Sequence, residues 1–110
     1  MKQFFYREKP MSSSGIKRLV LDVLKPHVPN LVDIANLVGK IDGVVGVNVA
    51  LVEVDSHTES IKVTVEGDNL QFEEVKSALE ACGASVHSID QVVAGRTVVE
   101  EVKTHMENGG

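Results

Sequence analysis

The sequence predicts an α+β fold, a two-layer sandwich in which one antiparallel sheet carries two helices. Three observations predict it: four β-rich segments, two amphipathic helical stripes, and their order of strand, helix, strand, strand, helix, strand. A chain of 110 residues, 43% apolar and 25% charged, is long enough for one such core and too short for two.

The first strand is Ile16–Lys25. Leu19, Leu21 and Val23 alternate with Val20, Asp22 and Leu24, so the strand is apolar on both faces and belongs at the centre of the sheet. Pro26 and Pro29 stop it. Asn30, with Asp33 three residues later, is a helix N-cap and its box partner. Leu31, Ile34, Ala35, Val38 and Ile41 then form one helical stripe ending near Asp42-Gly43. From Val44 to Asp55 the chain is rich in β-branched residues, with Gly46 marking a bulge. Ser56–Ser60 is the turn, and Ile61, Val63 and Val65 alternate with Lys62, Thr64 and Glu66 in the return strand of a hairpin. Gly67-Asp68-Asn69 opens the second helix, with Asp68 as cap. Phe72, Val75, Ala78, Leu79 and Cys82 are its buried stripe, and Gly83 ends it. Ala84 to Ala94 is the last strand. Beyond it, Val98, Val99, Val102 and Met106 suit either a short helix or an added edge strand.

This order is the ferredoxin-like βαββαβ plan, a two-layer sandwich with strand order 4-1-3-2, antiparallel throughout and with both helices on one face. Three segments follow: a flexible N-terminal tail over 1–14, the ferredoxin-like domain over 15–95 and a C-terminal extension over 96–110. The sheet face without helices carries Val20, Leu24, Ala50, Val52 and Val54 if the alternation holds along both strands. An apolar area on the order of several hundred Å² is about the most that a lone soluble chain exposes. The expectation is a homo-oligomer formed through this face, an edge strand, or both; the alternative is that the C-terminal extension covers the face within one chain.

Eleven basic and 16 acidic residues give a net charge of −5, which argues against nucleic acid and anionic membrane as partners. The single cysteine, Cys82, has no internal disulfide partner, and no signal peptide or membrane span is visible, so a cytoplasmic location is expected. Cys82 itself falls on a buried helical stripe. Asp22, Glu53, Asp55 and His57 gather near one end of the sheet, and the two-residue spacing of the last three would aim them at one ion. Carboxylates suit Ca²⁺ or Mg²⁺, and the imidazole shifts the choice towards Zn²⁺. The plainer reading is that charges at a hairpin tip are solvated and deter strand pairing. Asp22, inside an apolar strand, needs a partner such as Lys62. His27 at the mouth of the first helix and His87 on the last strand are candidate ligand-binding residues. No phosphate-binding loop, dinucleotide fingerprint, paired-cysteine motif or nucleophile elbow occurs, so no enzyme is expected.

Several stretches together carry a resemblance: Ile16-Lys17-Arg18-Leu19-Val20-Leu21-Asp22-Val23-Leu24-Lys25-Pro26-His27, Val52-Glu53-Val54-Asp55, Glu66-Gly67-Asp68-Asn69, Phe72-Glu73-Glu74-Val75 and His87-Ser88-Ile89-Asp90-Gln91-Val92-Val93-Ala94-Gly95. Over about residues 15–102 the chain is similar to the archaeal family called domain of unknown function 211. The resemblance implies a ferredoxin-like fold and oligomers, and it carries no catalytic or binding residues to transfer. A copper-chaperone domain would need two cysteines where this chain has Lys25-Pro26-His27-Val28-Pro29, and an RNA-recognition domain would need aromatics on its central strands. The expected function is a non-enzymatic, homo-oligomeric domain that binds a divalent ion or small ligand in a regulatory role. The alternatives are a purely structural scaffold and an amino-acid sensor of the ACT type.

Overall fold

A computed structural model of the chain describes residues 15–102, and the expected tail over 1–14 lies outside them. The elements follow in the predicted order: β1 (Ile16–Pro26), α1 (Leu31–Gly39), β2 (Val44–Val54), β3 (Thr58–Leu70), α2 (Phe72–Ala81) and β4 (Ser85–Ala94). The sheet order is β2-β3-β1-β4 with antiparallel neighbours, which is the predicted 4-1-3-2 read from the other edge.

Alternation in the central strands builds the core. Leu19, Leu21 and Val23 of β1 and Ile61, Val63 and Val65 of β3 are all fully buried. They meet Ile34 and Val38 of α1 and Val75 and Leu79 of α2, so both helices lie on one face. The entry to α1 is fixed by the predicted capping box: the Asp33 N–H donates to Asn30 Oδ1 at 2.9 Å, and the Asn30 N–H donates to Asp33 Oδ2 at 3.2 Å.

The start of α2 differs from expectation. Its N-cap is Gln71, whose side chain makes no capping bond, and β3 runs on through Leu70. Asp68 is taken up by tertiary partners instead: its carboxylate pairs with Lys17, and its N–H donates to Gly43 O at 2.9 Å. A long-range ion pair and a backbone bond outcompete the local cap.

Bulges decide which face each side chain takes. The bulge predicted at Gly46 is present, with Val45 as the extra residue between Val44 and Gly46. A second one, at Val52, was not anticipated: Leu51 pairs with Ile61 while Glu53 pairs with Ser60. A slip of one residue exchanges the faces. Glu53 thus joins the open-face row of Ser60 and Leu24, and Val54 falls in the helix-side row of Glu59 and Lys25. On β4, His87 and Asp90 are the extra residues of two further bulges.

The open face is more polar than expected, through Glu53 in place of Val54 and through the outward residues of the central strands. Its rows contain Arg18 with Glu66, Thr64 with Asn48 and Gln91, and Asp22 with Lys62, Ala50 and Ser88. Of the residues assigned to an apolar patch there, Val20 is only 9% exposed, and Leu24, Ala50 and Val52 remain exposed but are separated by polar neighbours. Six of the twelve large apolar side chains exposed among the described residues lie on the two edge strands, Val45, Leu51, Val52 and Val54 on β2 and Ile89 and Val92 on β4.

Candidate functional site

Two features of the sheet stand out, a charged cluster where β1 meets the β2–β3 hairpin and the pair of edges just described. The cluster begins with Lys25. It continues the inward alternation of Leu19, Leu21 and Val23, so the end of β1 carries its stem into the core, where the residue is 1% exposed. Burial of an ammonium is tolerated only when its donors are satisfied. Nζ donates to Glu59 Oε1 at 2.7 Å and to Pro26 O at 2.8 Å, with His27 O at 3.5 Å.

Glu59 also faces His27. His27 Nδ1 lies 3.0 Å from Glu59 Oε2, and Nε2 lies 3.0 Å from Ser56 O. Both neighbours are acceptors, and only the imidazolium has two N–H groups to give them. The His27 pKa is accordingly raised, first by the hydrogen bond to Glu59 and then by the one to the Ser56 carbonyl. The Glu59 pKa is lowered, first by Lys25 and then by His27. The cluster ties the β1–α1 loop to the hairpin.

These directions set a pH dependence. The His27 contribution is complete below the ordinary histidine value and is lost as pH rises through the raised one. The Glu59 contribution is present above the ordinary carboxylate value and is lost as pH falls through the lowered one. Thermal stability is therefore expected to be greatest between the two ranges and to decline on the alkaline side. His27→Gln should flatten that alkaline decline, and melting temperatures measured against pH that keep the wild-type shape in this variant would count against the cluster.

The structure brings His27 together with Lys25, Ser56 and Glu59. Both His27 ring nitrogens are thus engaged within the chain, which leaves neither free for the ligand role expected of it. His87 stands exposed at a bulge on the opposite edge strand. Asp22 has Lys62 as its cross-strand neighbour on one side and Ser88 on the other. His57 Nδ1 lies 3.4 Å from Ser56 Oγ, and the Asp55 backbone N–H closes the hairpin on Thr58 O. Among the described residues no group of three or more His, Cys, Asp or Glu side chains is placed to hold a metal ion. One reason that Asp22, Glu53, Asp55 and His57 do not form the expected set is that β2 ends at Val54, so Asp55 and His57 lie in the hairpin turn and not on an extended strand.

A second ionic cluster, absent from the sequence reading, sits at the other end of the open face. Arg18 donates through Nε to Glu66 at 2.7 Å, through Nη1 to Gln91 at 3.2 Å, and through Nη1 and Nη2 to both carboxylate oxygens of Glu100 at 3.0 Å each. The Glu100 pKa is lowered by this bond. Residues 96–102 form neither helix nor strand, and Glu100 anchors them back onto the sheet. A basic residue at an outward position of a central strand is the only sequence signal for this clamp.

No helix among the described residues is long and apolar enough to cross a membrane. The model of the family domain of unknown function 211, described as uncharacterised ArCR, matches residues 17–108. The uncharacterised protein MJ0319 of Methanocaldococcus jannaschii is 47% identical over 91 residues, covering 83% of this chain and 94% of that protein. The resemblance read from the sequence is borne out.

Proposed function

Since the chain belongs to the family of domain of unknown function 211, described only as uncharacterised, we propose its function from its surface: it is a self-associating domain that joins copies through the two edges of its sheet. The observation that carries this reading is that both edge strands expose large apolar side chains, Val45, Leu51, Val52 and Val54 on β2 and Ile89 and Val92 on β4. Among the described residues each edge also presents a row of backbone N–H and C=O groups without a strand partner.

The two edges are complementary. All neighbouring strands are antiparallel, so β2 and β4 run in opposite directions, and the β2 of a second copy laid beside β4 continues the same alternation. On the helix side Ile89 and Val92 extend the rows of Leu21 and Leu19, while Leu51 extends the row of Ile61. Joined without stagger, the edges set the next copy's Leu51 beside Val86 and its Val49 beside Ile89, and Leu51, Ile89 and Val92 each contribute about 1 kcal/mol on losing their remaining exposure. Such a contact is head-to-tail and closes into a ring or grows as a filament.

Leu51→Lys and Ile89→Lys should each reduce the assembly to smaller species in light scattering while circular dichroism stays native. Mixing the two variants should restore a dimer, because one still has a good β4 edge and the other a good β2 edge. A wild-type chain that sediments as a single copy across a wide concentration range would sink the proposal. So would loss of association in one variant alone, which is the mark of like edges pairing.

A further inference from the structure

We propose that the C-terminal strap, residues 96–102, docks on the neighbouring copy, with Val99 entering a groove over Gly46 and Ala50 and Glu101 approaching Lys62. The proposal rests on the edge-joined assembly above and names what seals its seam.

The strap is half committed to its own chain. Glu100 is held by the two-pronged bond from Arg18, yet Val99 beside it is 71% exposed and Val102 is exposed as well. Val99, Glu100 and Glu101 line one open cavity along β4 with Asp90, Gln91 and Val93, so Val99 and Glu101 stand at the edge a second copy would meet. An anchored segment whose apolar side chains remain in water is a segment waiting for a second surface.

That surface is on β2. A cavity of about 630 Å³ runs over the open face along β2 and β3, lined by Gly46, Asn48, Ala50, Lys62 and Thr64 among others. Its floor is low because Gly46 has no side chain, and a Cβ built there meets nothing within 4 Å. The groove's own copy does not fill it from the strap. Glu100 reaches Arg18 on β1, but the strap runs along β4, with Val99 and Glu101 lining a cavity against Asp90 to Ala94, and β4 is separated from its own β2 by β1 and β3, about 14 Å at the usual strand spacing. In the joined sheet the neighbour's β2 lies one spacing away, about 5 Å.

The level also matches. Gly46 pairs with Glu66, Glu66 with Arg18 and Arg18 with Val93, so the groove floor and the strap's anchor share one cross-strand row. A continuation without stagger sets the next copy's Gly46 beside Val93. Lys62, the cation in the groove, then meets Glu101, while Glu66 is already bound to Arg18.

The test is a Gly46→Cys/Val99→Cys double variant in a Cys82→Ser background, oxidised and run on a non-reducing gel, with light scattering on the same sample before oxidation. The expected result is a ladder of disulfide-linked dimers and larger species that collapses on reduction. An assembled sample that gives no ladder, or gives only an internally closed single chain, overturns the strap proposal and leaves the edge-joined reading standing. A sample that is not assembled overturns both.

Discussion

Lys25→Ala is expected to destabilise the protein by about 3 kcal/mol, lowering the melting temperature by roughly 10–20 °C for a domain of this size. The residue is 1% exposed, and its ammonium holds Glu59 and the Pro26 carbonyl at hydrogen-bond distance. Removing it deletes a packed stem and strips two acceptors of their donor. Glu59 keeps His27 as a partner and has some access to water, which holds the loss at the lower end of what a broken buried pair gives. Lys25→Met retains most of the stem, so its melting temperature should fall between those of Lys25→Ala and the wild type. Equal melting temperatures for wild type and Lys25→Ala would mean that the cluster is ornamental.

What the sequence made legible follows from how far apart the deciding residues are. The two-faced apolar alternation of Leu19 to Leu24, the Asn30/Asp33 box and the period-two run from Ile61 to Glu66 are all local signals, and the elements they mark form as expected. The sheet order follows from the element order together with right-handed crossovers. Local signals failed where a distant partner competed. Asp68 reads as a helix cap until Lys17 claims it, a partner 51 residues away. Lys25 continues the parity of Leu19, Leu21 and Val23, which hints at burial, but its partner Glu59 is 34 residues off and is aligned only by the hairpin register.

The Val52 bulge is the most consequential of these. Nothing in Val49-Ala50-Leu51-Val52-Glu53 announces it, because β-branched residues suit either arrangement and no glycine marks the spot. Reading the parity straight through placed Ala50, Val52 and Val54 on one apolar face and Glu53, Asp55 and His57 on one ligand-binding face. The slip takes Val54 off the face of Ala50, and the end of β2 at Val54 leaves Asp55 and His57 in the turn. Together they leave the expectation of self-association with a different physical basis, edge strands in place of a bare face, and the edge is also where exposed β-structure is most prone to pair.

Gly67→Ala is expected to be as damaging as the lysine variant, through sterics alone. A Cβ at Gly67 would lie 1.9 Å from the Gly43 carbonyl oxygen and 2.9 Å from Leu70 Cδ2. The first contact is with backbone, so no side-chain rotation relieves it. The turn after α1 would have to move, yet Gly43 O accepts the Asp68 N–H at 2.9 Å, and Gly43 itself has a φ of +89°. Opening that approach loses the backbone bond and disturbs the Val45 bulge that sets the register of β2 against β3. We expect a loss of about 3 kcal/mol or more, above the usual range for an extra methyl group because the obstacle is fixed. Gly46→Ala is the matched control, a glycine on the neighbouring strand with open space around it, and should melt within about 0.5 kcal/mol of wild type. If the two variants melt together, β3 and the α1–β2 turn are looser than their spacing implies. If they part as expected, the β2 register that sets Gly46 level with Arg18 is fixed by backbone contact at Gly67, and the proposed seam between copies would inherit that alignment.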